Sequence, residues 1–297
     1  MQRVNFQVPE VDNTELIQQL KKNRDLLNLM ERKGIPMELL ERMPNRFKNW
    51  MDELEKCRGC KGLNECRQTT IGKRRDLNYD AILETVISDC PYMKQQNKNR
   101  SHINNFLVND MGEHLYEAEV GKIDLTNEVA EYQKIVFKVM QSLLNQEDKG
   151  LYLYGPVGTG KTYLAACGAN AFAKANKKVV FVHVPSFASR IRGLVTTNEY
   201  QTEVNRIMRA DFAVFDDIGA ESVTAWFRDD ILLPILNRRM EENKMTWFTS
   251  NEDLKSLKSV YALGGKQGVE VMKAERLVER VKTLAKPMEL LGKDRRK

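Results

Sequence analysis

The sequence predicts an α/β protein in which a parallel sheet covered by helices on both faces follows a small helical domain that carries a zinc site. Three observations lead there. Beyond about residue 150, short apolar or β-branched runs alternate with longer segments of helical period, the rhythm of strands joined by crossover helices. A glycine-rich turn falls between one such strand and the next helix at 155–162. Four of the five cysteines lie between Cys57 and Cys90, and the fifth, Cys167, stands apart.

Bulk properties set the frame for these elements. A chain of 297 residues is about two domains long. With 42% hydrophobic and 30% charged residues it belongs with soluble globular proteins and not with disordered or fibrous ones. No run approaches the ~20 apolar residues of a membrane span. The opening MQRVNFQVPEVDN lacks the charged-then-apolar pattern of a secretory signal, which predicts a cytoplasmic protein. In a reducing compartment clustered cysteines point to metal sooner than to disulfides. The net charge of +6 is mild, but residues 255–297 carry twelve basic side chains against five acidic ones. Such a surface suits a polyanion such as a nucleotide or single-stranded DNA; a solvated helix face accounts for it equally well.

Taken in order, the first element is helical. Asn13 and Thr14 offer N-caps, Leu16, Leu20, Leu26, Leu27 and Met30 recur at helical spacing, and Gly34 with Pro36 gives a stop and a new start. A second helix runs from about Pro36 to Leu54 on Leu39, Leu40, Met43, Phe47, Trp50 and Met51, and the two stripes pack as a hairpin. Then comes Cys57-x2-Cys60-x5-Cys66-x23-Cys90. A close pair with two further thiols suits a tetrahedral zinc site that stands in for a core, with buried free cysteines or a redox pair as the other readings. The polar stretch KQQNKNRSHINN reads as a linker, so the expected division is a helical zinc domain over 1–93, a linker over 94–109 and a nucleotide-binding domain over 110–297. The strands of that last domain are expected at 150–155, 177–184, 211–217 and 245–250.

Gly155-Pro156-Val157-Gly158-Thr159-Gly160-Lys161-Thr162 fits G-x-x-x-x-G-K-[ST], with LYLY as the strand before it and an amphipathic helix after it. Glycines let backbone N–H groups converge on phosphate oxygens, and the helix N-terminus adds its positive dipole end. Lys161 is expected to reach the β- and γ-phosphates and Thr162 to ligate Mg²⁺. An apolar strand ending in Asp216-Asp217 supplies a metal-holding acid, Asp216, and a candidate general base for the attacking water, Asp217. Asn251, at the end of the next apolar run, is placed to hold that water or the γ-phosphate. ATP hydrolysis is the chemistry this set predicts.

GPVGTGKT, VFDDIGAES, FTSN and ERLVER together resemble the AAA+ ATPases of the replicative-helicase-loader type, the DnaI-like and DnaC-like primosomal loaders, with IstB-like transposition ATPases as more distant relatives. The likeness covers about residues 110–297, and DDIGAES is more specific than a generic acidic strand end. The resemblance implies a five-stranded core and an assembly of identical subunits with ATP at their interfaces. Asn251 matches the first sensor, and Arg280 the arginine finger that reaches a neighbour's γ-phosphoryl, with Arg276 one turn earlier as the alternative. In the terminal GKDRR, Arg296 matches the second sensor, with Arg295 as the alternative. The cysteine region resembles the zinc domain of these loaders, implying that it binds the hexameric replicative helicase while the ATPase domain answers to ATP and single-stranded DNA. The family pattern can include a histidine ligand, whereas this chain has no histidine before His102, so Cys66 is expected in that role. Many AAA+ enzymes carry glutamate after the first acid; Asp217 is one methylene shorter, which predicts slow, partner-stimulated hydrolysis. A transposition helper ATPase, and an adaptor that binds ATP without turnover, are the competing readings.

Overall fold

The computed structural model describes residues 13–145, 149–194, 199–262 and 268–295. The chain divides between Asn99 and Arg100 into two compact units.

The first unit opens with four helices: α1 (Thr14–Lys21), α2 (Arg24–Lys33), α3 (Met37–Arg42) and α4 (Pro44–Lys56). The two long helices expected from the apolar spacing are each broken once, for local reasons. Asn23 interrupts the first because its side chain accepts a hydrogen bond from Leu26 N at 3.0 Å and so caps α2. Pro44 interrupts the second, since it cannot donate to the preceding turn but fits the first turn of a new helix. Gly34 closes α2 in the left-handed conformation, φ 63°. The unit is not purely helical. An antiparallel hairpin, β1 (Lys73–Asp80) and β2 (Ile82–Asp89), turns at Ala81 and contributes Leu77 and Leu83 to a core with Leu20, Leu26, Leu40, Phe47 and Trp50. Its turn lacks the Asn-Gly or Asp-Gly signature of a tight hairpin, which hid it in the sequence. Helix α5 (Pro91–Asn99) ends the unit.

The second unit is built on a six-stranded sheet in the order β3 (Phe106–Asn109), β5 (Val179–His183), β6 (Phe212–Asp216), β7 (Met245–Ser250), β4 (Gly150–Tyr154), β8 (Ala285–Glu289), with every pairing parallel. Its helices are α6 (Ala130–Asn145), α7 (Lys161–Lys174), α8 (Val184–Leu194), α9 (Tyr200–Arg209), α10 (Leu233–Glu241), α11 (Leu254–Tyr261) and α12 (Val269–Leu284). Both faces of the central strands are buried. Along β6, Phe212 and Val214 join one core with α7, while Ala213 and Phe215 join the other with α8, α10 and α12.

The four expected strands are present. The resemblance implied five and the sheet has six; β3 and β8 are the two strands of this sheet that the sequence reading lacked, one at each edge. Edge position explains both omissions. β3 is four residues long and flanked by polar residues, and β8 contains Pro287, which an edge strand tolerates. Residues 94–109, expected as a linker, carry the end of α5, a 3-10 turn at Ser101–Asn105 and β3. The polar composition there reflects exposed faces of ordered elements. No helix among the described residues is long and apolar enough to cross a membrane.

Candidate nucleotide site

Because every strand of the sheet runs the same way, the carboxyl ends of β4, β5, β6 and β7 share one edge, the place where open α/β sheets bind ligands. β4 delivers the chain into the glycine-rich turn and α7 begins at Lys161. Gly158 and Gly160 stand at φ 84° and 96°, where a Cβ is strained, and a Cβ on Gly158 would also collide with the carboxylate of Asp294. Lys161 Nζ donates to Gly155 O and Pro156 O, both at 2.8 Å. The ammonium is thus held back over the turn whose N–H groups would face a phosphate chain.

β6 places Asp216 opposite α7. Its Oδ1 accepts hydrogen bonds from Thr162 Oγ1 at 2.9 Å and Thr249 Oγ1 at 2.6 Å. Asp216 is only 5% exposed, and burial pushes its carboxyl above the usual range against the pull of those two hydroxyls. A buried carboxyl facing a threonine hydroxyl is an oxygen donor set suited to a hard divalent cation. Asp217 follows at φ 58°, an uncommon left-handed setting for a side chain with a Cβ, and its N–H donates to Thr249 Oγ1 at 2.9 Å. Thr249, at the end of β7, therefore ties both acids to the neighbouring strand.

A cavity of about 880 Å³ opens beside the loop. Gly158, Gly160, Lys161, Thr162, Asp217 and Asn251 line it, so most of the residues expected from sequence meet in one place. Several lining groups were not expected: His114, Glu128, Tyr132 and Tyr163. His183, absent from the set the sequence predicts, ends β5 with Nε2 3.8 Å from Asp217 Oδ2. Strand order creates that neighbourhood, and nothing in the local sequence announces it. Arg295 lies over the Tyr132 ring at 3.7 Å, pairs with Glu128 at 2.6 Å and donates its backbone N–H to Gly158 O at 2.9 Å. Arg296, the expected second sensor, lies outside the described residues.

Arg280 does not line this cavity. It sits on α12, where Nε donates to Asn237 Oδ1 at 2.6 Å, and Arg276 on the same helix is exposed. The basic stretch from 255 onward is partly neutralised by ion pairs, among them Lys258–Glu275, Lys273–Asp229 and Arg295–Glu128.

In the first unit, Cys57, Cys60, Cys66 and Cys90 are all free and line one cavity of about 190 Å³. Three sulfurs accept N–H groups: Cys57 from Gln68 Nε2 at 3.3 Å, Cys66 from Gly72 N and Cys90 from Met93 N, each at 3.4 Å. Among the described residues no three His, Cys, Asp or Glu side chains are drawn together closely enough to share a metal ion. His102 belongs to the second unit, where it is buried against Asn170 Oδ1 at 3.2 Å.

A glycine-rich loop at a helix N-terminus, with a lysine and a threonine facing an acid-tipped parallel strand, defines a P-loop nucleotide-binding protein. The chain belongs to the family of IstB-like ATP binding proteins, which it matches over residues 61–284. It is similar to the replicative helicase loader DnaI of Bacillus subtilis (strain 168), 27% identical over 268 residues that cover 88% of this chain and 85% of that one. It is 30% identical over 107 residues to the replicative helicase loader DnaC of Buchnera aphidicola subsp. Baizongia pistaciae, covering 35% of this chain and 43% of that one. Among solved structures, a crystal structure of DnaI is 34% identical with a TM-score of 0.55, covering 66% of this chain and 99% of that one. A putative primosome component from Streptococcus pyogenes serotype M3 is 27% identical with a TM-score of 0.53, covering 67% and 100%.

Proposed function

We propose that this protein is an AAA+ type ATPase that loads the hexameric replicative DNA helicase onto single-stranded DNA at the initiation or restart of replication. One observation carries the reading: the match to a curated replicative helicase loader spans 88% of the chain. Only about one eighth of the chain lies outside that match, so both the cysteine segment and the phosphate loop fall within it. The IstB-like match begins at residue 61 and leaves out Cys57, Cys60 and the helices before them, whereas the loader match extends over most of both units.

In this reading the backbone of Gly155 to Thr162 cradles the phosphates and Lys161 swings from its carbonyl partners to the β- and γ-oxygens. Thr162 and Asp216 would hold Mg²⁺, which neutralises charge on the β- and γ-phosphoryl oxygens. Asp217 accepts the proton of the attacking water and Asn251 orients that water or the γ-phosphoryl. Arg280 acts on the nucleotide of an adjoining copy and Arg296 on its own, which makes assembly a condition for full turnover. The short Asp217 side chain keeps the isolated chain slow, so helicase and DNA act as stimulators. Four cysteine thiolates, Cys57, Cys60, Cys66 and Cys90, would hold Zn²⁺; their shared cavity and the N–H groups on three sulfurs support that role. The zinc unit then serves as the helicase tether. A cytoplasmic location fits this work.

The test is ATP hydrolysis by the purified chain, alone and with single-stranded DNA and the cognate replicative helicase, for wild type and Lys161→Ala. Stimulation by DNA or helicase that disappears in the variant supports the loader. ATP binding with no turnover under any condition rejects it in favour of an adaptor that uses ATP only as a ligand.

A further inference from the structure

The run Asp216-Asp217-Ile218-Gly219-Ala220-Glu221 contains a third acid that the nucleotide chemistry leaves unused. Glu221 is 7% exposed, does not line the nucleotide cavity, and is nevertheless fully engaged. Its Oε2 accepts the Gly219 N–H at 2.9 Å, and its Oε1 accepts the hydroxyl of Tyr261, a fully buried residue at the end of α11. Burial pushes the carboxyl and the phenol up alike, so each is an expensive group to place here without its partner.

What the pair braces is the turn that carries Asp217. A non-glycine residue at φ 58° persists only where its surroundings over-determine it. On the sheet side those surroundings are Thr249 and Ser250: Asp217 N donates to Thr249 Oγ1, Ile218 N to Thr249 O at 2.9 Å, and Ser250 Oγ to Ile218 O at 2.7 Å. On the other side the turn meets α11, where a Cβ on Gly219 would run into Leu257, and there Glu221 is the bond that closes it. The far end of the brace is itself anchored. The Tyr261 carbonyl accepts from Arg228 Nη1 at 2.8 Å, and Arg228, with no exposed surface, is fixed by Asp229 at 2.6 Å and Glu270 at 2.7 Å.

We propose that Glu221 and Tyr261 are positioning residues: a buried clasp that holds the Asp217 turn in its left-handed setting, so that the Asp217 carboxylate meets the attacking water, without either residue touching the nucleotide. The kinetic half of this inference rests on the ATPase reading above; the structural half does not. Misplacing a catalytic group while leaving the binding loop intact lowers kcat and spares KM.

The experiment compares the full chain with Tyr261→Phe, Glu221→Ala and Glu221→Gln by steady-state ATP hydrolysis and by amide hydrogen exchange in peptides spanning 216–220 and 155–162. Tyr261→Phe and Glu221→Ala are expected to lower kcat about tenfold, with KM for ATP changed less than about twofold. Exchange should quicken about tenfold at 216–220 and stay unchanged at 155–162. Glu221→Gln, whose amide oxygen still accepts from the turn or the hydroxyl, should recover most of both losses relative to Glu221→Ala. Unchanged kcat, or a parallel loss of kcat, KM and protection in both peptides, overturns the clasp, because the residues would then be idle or merely part of the core. If wild type itself hydrolyses no ATP the ATPase reading fails, and exchange alone decides the clasp: selective quickening at 216–220 upholds it and uniform quickening rejects it.

Discussion

The phosphate loop and the cysteine cavity show two ways of assembling a site. At the loop, strands far apart in sequence are brought side by side by parallel pairing, which sets Thr249 against Asp216 and Asp217, while α7 brings Thr162 to Asp216. At the cavity, four thiols come from loop segments between α4, a two-stranded hairpin and α5, where Cys90 N donates to Gly72 O at 2.8 Å. The first unit also has a smaller core, one cluster drawn from α1 to α4 and the hairpin, where the second has two clusters packed on both faces of a sheet. A site carried by a sheet is finished by the polypeptide; the small loop-rich unit, if it holds the proposed zinc, would take part of its stability from the metal.

Four predictions would break or sharpen that contrast. The largest effect is expected in the first unit. If zinc completes it, chelation at neutral pH removes on the order of 10 kcal/mol of metal-linked folding energy. Calorimetry should then show the transition of the first unit abolished and that of the second unchanged; coincident loss of both would end the distinction. Next is Lys161→Ala, which should lower ATP turnover by about 10²–10³-fold while thermal melting stays put, since in the proposed reading the lysine serves phosphates and not the core. A drop in melting temperature matching the drop in rate would make Lys161 structural. Smaller again is Thr249→Val, which strips one donor from Asp216 and the acceptor of Asp217 N–H. About a tenfold loss in kcat is expected in a steady-state assay, and no loss would show that the sheet does not set the acids.

The smallest effect is a pH dependence. Arg228, and then Lys273, lower the Asp229 carboxyl to about 2 from its usual 3.8. A depressed carboxylate stabilises the fold above the unfolded value and loses that contribution as pH falls through the folded one. The urea midpoint of Asp229→Asn should therefore lie below that of wild type at pH 5, and the gap should narrow steadily toward about pH 2. A gap that is constant with pH would show that the ion pair contributes nothing.

How far the sequence reached follows the same division. Gly155 to Thr162, Asp216, Asp217 and Asn251 were legible because each sits at a fixed offset from a strand or helix end, and short-range spacing encodes that. The contacts of Thr249 and His183 were not, because they depend on β5, β6 and β7 being neighbours, and strand order is a property of the whole fold; the Glu221–Tyr261 bond was not, because it depends on α11 packing on the turn after β6. The hairpin of the first unit escaped because Asp80-Ala81 gives no turn signature. β3 and β8 escaped because edge strands are short, polar or proline-bearing. Arg280 was legible as a motif, yet its bond to Asn237 within its own subunit was not.

The most direct test of the central claim is a loading assay: unwinding by the cognate hexameric helicase on a closed circular single strand carrying a short annealed duplex, with ATP and this protein as wild type or Lys161→Ala. The account predicts that unwinding requires the wild-type chain and disappears with the variant. Equal unwinding with wild type, variant or no added chain would contradict it.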